Sequence, residues 1–368
     1  MPEFDPREPY NALPLLPPSA EIETIGVMRS LNLASRSLAN LNGTALSVPN
    51  PQLLIDAFAI TEAVASSEIE NVNTTSDELF RFMAVGNERA SDATKEAARY
   101  RPALSMGIDR LQSNPRLDAQ LFVDTCSQIL GTSVDVRESA VFIGNPRTRY
   151  VAYTPPYGKS TLLHLLDNLL NFANETAPGL DPIIKMAIMH YQFEAIHPYR
   201  DGNGRMGRLL IPFFLQERDL IPVPLLYLSA YFERDRQRYY DELLNVSMTG
   251  DWDQWLLYFL EGVETEARDT VARVRRLRSL QDEWRTLLQE RRESVNCVRL
   301  LDEICAQPVI TARRAAEFLG VTGVGARRML DRLCDAGILR RSTRNRPNLY
   351  TAERLIEELE RPLALTDE

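Results

Sequence analysis

Residues 181–217 read as two strongly apolar helices, 181–196 and 203–217, joined by a loop that Pro198 and Gly202 make tight. The second helix carries Leu209, Leu210, Phe213 and Phe214 as a buried set. A chain organised round such a pair folds as a mainly α protein, and helical spacing recurs over most of it. Helices are predicted over 25–41, 51–70, 77–85, 90–113, 118–130, 160–176, 231–249 and 251–292. The exception is 131–160. Residues 134–136, 140–143 and 150–153 are rich in β-branched and aromatic types, and Gly144, Asn145 and Pro146 separate the last two runs. That pattern predicts a β-hairpin inside a helical chain. Residues 1–50 are rich in Pro, Asn and Leu, with Pro14, Pro17 and Pro18 close together, and read as an ordered arm lying on a larger domain, followed by the short helix at 25–41.

Composition removes several classes. At roughly 150 residues per domain, 368 residues suggest two or three domains. The longest apolar run, 209–215, is broken by Pro212 and falls far short of the about 20 residues a membrane span needs. The N-terminus, MPEFDPREPY, is acidic and proline-rich and lacks the features of a secretory signal. Cys126, Cys297, Cys305 and Cys334 are scattered without a C-x-x-C pair, so neither a disulfide framework nor a zinc site is expected. Reduced thiols and a cytoplasmic location follow as expectations. A formal net charge of −9 argues against nucleic-acid binding by the chain as a whole.

The loop after the first apolar helix runs His197-Pro198-Tyr199-Arg200-Asp201-Gly202-Asn203-Gly204-Arg205-Met206-Gly207-Arg208. Its second half opens a helix, where free backbone N–H groups and the dipole favour anions. Gly202 and Gly204 let the backbone approach an oxygen-rich ligand, and Asn203 adds an amide. Arg205 and Arg208, three residues apart, project from one side with guanidinium forks suited to phosphate. Asp201 is a hard carboxylate able to hold Mg²⁺, and His197 brings an imidazole, the side-chain type whose ordinary range lies near neutrality and which can serve as a general base. Each feature alone is commonplace. Together within twelve residues they point to nucleotidyl or phosphoryl transfer.

This string resembles the Fic family signature, H-x-F-x-(D/E)-G-N-G-R-x-x-R, with Tyr199 where the family usually has Phe. The resemblance implies a helical Fic core that transfers AMP from ATP to a hydroxyl side chain of a target protein. It implies His197 as base, Asp201 as the Mg²⁺ ligand and Arg208 at the γ-phosphate. Gly202, Asn203, Gly204 and Arg205 would cradle the other phosphates, with Met206 and Gly207 in the same nucleotide-binding run. The hairpin over 141–153 falls where the family has a flap that clamps the target segment by strand addition. Ile143 and Gly144 would then lie near the nucleotide. Tyr239 and Tyr240 resemble the segment lining the adenine pocket, and core packing is the other reading of either ring.

Upstream, Ser66-Ser67-Glu68-Ile69-Glu70-Asn71 resembles the inhibitory motif (S/T)-x-x-x-E-(G/N) of self-repressed Fic proteins. By that resemblance Ser66, Glu70 and Asn71 form a brake, with Glu70 competing against the γ-phosphate for Arg208. Removal of AMP from modified protein is an associated expectation.

Residues 294–350 carry ten arginines and five acids, about +5, which leaves about −14 on the rest of the chain. Thr311 is predicted to cap a helix ended by Gly320, and Thr322 a second one ended by Gly337, followed by short strands at 338–340 and 348–351. This resembles a winged helix-turn-helix with Arg327, Arg328 and Arg332 on the recognition helix and Arg341, Arg344 and Arg346 in the wing. DNA binding and protein docking both stay open, as does a homodimer; no membrane partner is expected. The expected division is an arm and inhibitory region (1–110), a catalytic core (111–260), a connecting helix (261–293) and the winged helix (294–368). The rival reading is a DNA-binding regulator whose Fic-like core senses nucleotide without transferring it.

Overall fold

The computed structural model describes residues 4–48, 51–86, 90–145, 148–175, 179–342 and 347–362. In chain order the helices are α1 (Ile25–Leu46), α2 (Gln52–Ile69), α3 (Ser76–Val85), α4 (Asp92–Ala97), α5 (Tyr100–Ser113) and α6 (Ala119–Leu130). A hairpin of β1 (Ile143–Asn145) and β2 (Tyr150–Tyr153) follows. Then come α7 (Lys159–Asn174), α8 (Pro182–Ile196), α9 (Asn203–Glu217), α10 (Ser229–Arg234), α11 (Arg236–Thr249) and α12 (Asp253–Glu290). The chain closes with α13 (Val295–Ala306), β3 (Val309–Thr311), α14 (Ala312–Leu319), α15 (Gly323–Asp335), β4 (Arg340–Ser342), β5 (Leu349–Thr351) and α16 (Glu353–Glu360). No helix among the described residues is long and apolar enough to cross a membrane.

The helix predicted over 90–113 is two helices. Pro102 stands in the first turn of α5, where its missing N–H costs nothing, so the chain breaks after α4 and starts again. The helix predicted over 231–249 also divides. Asp235 leaves helical geometry (φ −137°, ψ 71°), and its carboxylate caps α11 by accepting from the Arg238 N–H at 3.0 Å. Residues 134–142 form no strand, and the short C-terminal strands lie at Arg340–Ser342 and Leu349–Thr351. Elements α13, β3 and α16 are additions to the sequence reading.

By its internal contacts the chain forms two compact units that interleave along the sequence, Met1–Asn40 with Pro102–Ala267 and Leu41–Arg101 with Arg268–Glu368. In the first, α8 is buried on almost every side, packing against α7, α9 and α11, while α6 packs on α9. Asp181 caps α8 by accepting from the Ile183 N–H (2.8 Å), and Pro182 pre-sets its first turn. The buried Trp255 indole donates to the Ala187 carbonyl at 3.0 Å. The arm does lie on this core: the Tyr10 N–H donates to the Thr154 carbonyl (3.0 Å), and the Gln192 amide to the Pro14 carbonyl (2.9 Å).

In the second unit α2 packs against α13 and α16, and α3 against β3. Strands run antiparallel in the order β3-β5-β4. Thr311 and Thr322 cap α14 and α15, as expected, by accepting from the N–H groups of Arg314 and Gly325 (both 3.2 Å), and Gly320 ends α14 at φ +67°.

Candidate active site

Helix α8 ends at His197, a non-glycine residue in the left-handed region (φ 49°, ψ 59°) whose N–H donates to the Phe193 carbonyl. That conformation turns the chain into Pro198 and leaves the His197 side chain half-buried. The last carbonyls of a helix lack internal partners, and here they find them outside it. The Tyr153 hydroxyl donates to the Ala195 carbonyl at 2.9 Å. Arg137 donates from Nε to the His197 carbonyl (2.8 Å), and its backbone N–H donates to the Pro198 carbonyl (3.0 Å). Arg137 is 4% exposed, and burial pulls its guanidinium below the ordinary arginine value, partly offset by Tyr153. Sequence reading passed over Arg137. The signal available was a lone cation in the extended-looking run Val134-Asp135-Val136-Arg137.

The loop is closed by Asn203. Its side-chain oxygen accepts from the Tyr199 N–H (2.9 Å), and its amide nitrogen donates to the Tyr199 carbonyl (2.8 Å). That carboxamide is therefore engaged in holding the loop, and what Asn203 readily offers an anion is its backbone N–H. The Tyr199 ring is buried, near Phe193. Gly202 heads α9 at φ +80°, and a Cβ there would also crowd the Cys126 sulfur at 3.0 Å. The Cys126 thiol, pushed up to about 12 mainly by burial, donates to the Asp201 carbonyl from beneath the loop (3.5 Å). Cys126 too was not foreseen as part of the site.

Arg205 and Arg208 are buried on α9, 3% and 2% exposed, whereas Asp201 stands in solvent with one carboxylate oxygen accepting from the Gly202 N–H (2.6 Å). Arg205 approaches that carboxylate at 4.0 Å. The turn thus brings together a helix N-terminus, one exposed carboxylate with the Arg205 guanidinium near it and an imidazole at the preceding helix cap, with Arg208 buried three residues further along α9. It can bind a polyanion and move a proton beside it. Gly204 is half-buried in the first turn.

The remaining predicted residues fall in different places. Met206 is wholly buried. Gly207 faces α8, where a Cβ would run into Glu194 and Phe193, and its carbonyl accepts from His190 Nδ1 (2.9 Å). Tyr239 lies in the core, stacked on Phe232 at 4.5 Å with its hydroxyl 2.9 Å from His190 Nε2, while Tyr240 is 39% exposed. In the hairpin Ile143 pairs with Tyr153 and Gly144 with Val151, with a bulge between the two positions. A Cβ on Gly144 would strike the Tyr150 carbonyl, so that strand approach requires glycine. Phe142 and Tyr150 expose their rings on this hairpin. Ser66, Glu70 and Asn71 belong to the second unit: Ser66 is buried on α2, Glu70 ends that helix exposed, and Asn71 follows at φ 60°.

Residues 28–109 match the Fic/DOC family N-terminal region and residues 117–215 the Fic/DOC family. Protein adenylyltransferase fic-1 of Caenorhabditis elegans is 33% identical over 90 residues, 24% of this chain and 16% of its own. A probable protein adenylyltransferase of Aquifex aeolicus is 37% identical over 89 residues, 24% of either chain. The matched stretch spans a quarter or less of these relatives' length. Among solved structures, a Fic family protein from Desulfovibrio desulfuricans superposes with a TM-score of 0.56 at 18% identity, covering 91% of this chain and 98% of that one. At that identity the likeness speaks for the fold. Residues 28–109 and 117–215 of the chain are thus similar, in that order, to the N-terminal region and the main domain of the Fic/DOC family.

Proposed function

We propose that this chain is a protein adenylyltransferase that moves AMP from ATP to a serine, threonine or tyrosine hydroxyl of another protein, and of itself. The observation that carries the reading is the turn from α8 into α9, which gathers His197, Asp201, Arg205 and Arg208 around one helix N-terminus. Relatives named as protein adenylyltransferases are similar to this chain over about 90 residues. In this reading His197 takes the proton of the target hydroxyl. The hydroxyl oxygen forms a bond to the α-phosphorus, and pyrophosphate leaves with the electrons of the bond that breaks. Arg208 holds the γ-phosphate, and Arg205 with the backbone of Gly202, Asn203 and Gly204 holds the phosphates nearer the reacting centre. Burial of both arginines strengthens their attraction for phosphate relative to a solvated side chain.

Asp201 would hold Mg²⁺. The described residues contain no cluster of three or more His, Cys, Asp or Glu side chains able to bind a metal. The single exposed carboxylate fits an ion that takes most of its ligands from phosphate and water. Bound there, the ion supplies neutralisation of phosphate charge. The hairpin's exposed edge would receive the target segment, and Ile143 and Gly144 would border the nucleotide.

Glu70 is proposed as the brake, a carboxylate that competes with the γ-phosphate for Arg208 and also serves the reverse removal of AMP. Its place at the end of α2, after the buried Ser66, fits the motif. A charge-assisted pair is worth about 1.5–3 kcal/mol, so Glu70→Gly should raise AMP transfer roughly tenfold to hundredfold. The test is mass spectrometry of lysate proteins incubated with ATP and the Glu70→Gly variant, with the double variant carrying His197→Ala as control. Adenylylated products that disappear in the control are expected. Their absence, with nucleotide binding retained, would favour the nucleotide-sensing regulator instead.

The C-terminal segment, with helices α14 and α15 followed by β4 and β5, is proposed as a winged helix-turn-helix that works by docking protein. Its packing of α13 and α16 against α2 supports that use.

A further inference from the structure

Four consecutive carbonyls at the end of α8, from Ala195 to Pro198, are each held from outside the helix. Tyr153 holds Ala195 (2.9 Å). The Arg137 guanidinium holds Ile196 (3.4 Å) and His197 (2.8 Å), and the Arg137 backbone N–H holds Pro198 (3.0 Å). The same guanidinium donates to the carbonyls of Ser139 (3.0 Å) and Pro156 (2.6 Å). Arg137 and Ser139 precede β1, Tyr153 ends β2, and Pro156 follows it. The donors that fix the left-handed cap therefore come from the two roots of the hairpin. A non-glycine residue in that conformation persists only where its surroundings over-determine it.

We propose that Arg137 is a positioning residue for adenylyl transfer, tying the hairpin roots and the His197 backbone into one hydrogen-bonded body so that a segment bound along the hairpin presents its hydroxyl at a set distance from the imidazole. Its kinetic consequence rests on the transfer reading, while the mechanical tie rests on the hydrogen bonds alone. In that reading the phosphates are held by α9, which Arg137 does not bond, so phosphate binding and the positioning of the hydroxyl separate.

Arg137→Lys in the full chain is the test, because an ammonium cannot span carbonyls that a planar fork reaches together. A reacting-group displacement on the scale of an ångström costs about a hundredfold, so kcat should fall roughly tenfold to hundredfold while KM for ATP stays within about twofold. Hydrogen exchange on the nucleotide-free protein is the second measurement. Amides of 197–202 and of 150–157 should speed up together, by about tenfold, with those of α7 unchanged. Tyr153→Phe removes one bond and keeps the ring. It should show the same paired pattern more weakly, which covers the case of an Arg137 variant that does not fold. An unchanged kcat, a loss carried by KM, or faster exchange in only one of the two segments would overturn the proposal. If neither the parent nor Glu70→Gly transfers AMP, the transfer reading fails and the exchange measurement alone decides the tie.

Discussion

His190 illustrates what one residue contributes here without touching the reacting face. It is wholly buried between Trp255 and Phe232. A carbonyl can only accept, so Nδ1 donates to Gly207, and Nε2 of the neutral ring accepts from the Tyr239 hydroxyl. Burial, aided by Arg208 and opposed by the Gly207 bond, drops its pKa from 6.5 to about 3. The ring is therefore neutral in the fold, whereas an unfolded chain protonates it below 6.5. Stability contributed by this site is complete above pH 6.5 and declines as pH falls toward 3. At about 1.4 kcal/mol per pH unit, the loss between pH 7.5 and pH 5 is about 2 kcal/mol. Urea denaturation at the two pH values should show it in the parent and not in His190→Gln, and equal pH dependence would refute it. At this scale the loop was legible because its residues are contiguous. His190, Arg137 and Cys126 were not, since each acts on the loop from a distant position in sequence.

At the scale of elements, α8 and α9 were legible as apolar runs with a proline and glycine between them, and α9 matches its predicted span. The hairpin was legible too, because its turn residues and its β-branched flanks are local. What the pattern could not resolve were interruptions and short strands: one capping aspartate splits α10 from α11, and the three residues of β3 become a strand only by pairing with β5, some forty residues on. Packing also reverses propensity. Gly107 lies inside α5, where alanine is favoured by about 1 kcal/mol on intrinsic grounds. A Cβ there would enter the buried Phe213 ring. Gly107→Ala should therefore destabilise the protein by about 1–3 kcal/mol, as overpacking does. A urea midpoint unchanged or raised in that variant would refute the packing account.

For the molecule as a whole, charge is distributed differently from the count along the sequence. Of the ten arginines in 294–350, five (Arg313, Arg314, Arg332, Arg340 and Arg341) pair with carboxylates, one of them Glu353 beyond that window and one Glu293 before it. Arg327 and Arg328 remain exposed on α15, and Arg344 and Arg346 lie outside the described residues. Three of those carboxylates are already in the count of about +5, and Glu293 and Glu353 lower the local charge further to about +3; with so small an excess, fluorescence anisotropy with labelled duplex should find binding no tighter than a Kd of about 10⁻⁶ M at physiological salt. Tighter binding that Arg327→Glu abolishes would establish a DNA-reading role instead. The sequence by itself determined the mainly helical class, the hairpin and the loop that opens α9, because periodicity and turn chemistry act over a dozen residues or fewer. Tertiary structure alone decided that Tyr239 is drawn into the core and that Arg137 caps the helix bearing His197. Those outcomes depend on which buried polar groups must find partners, and the partners lie up to 60 residues away.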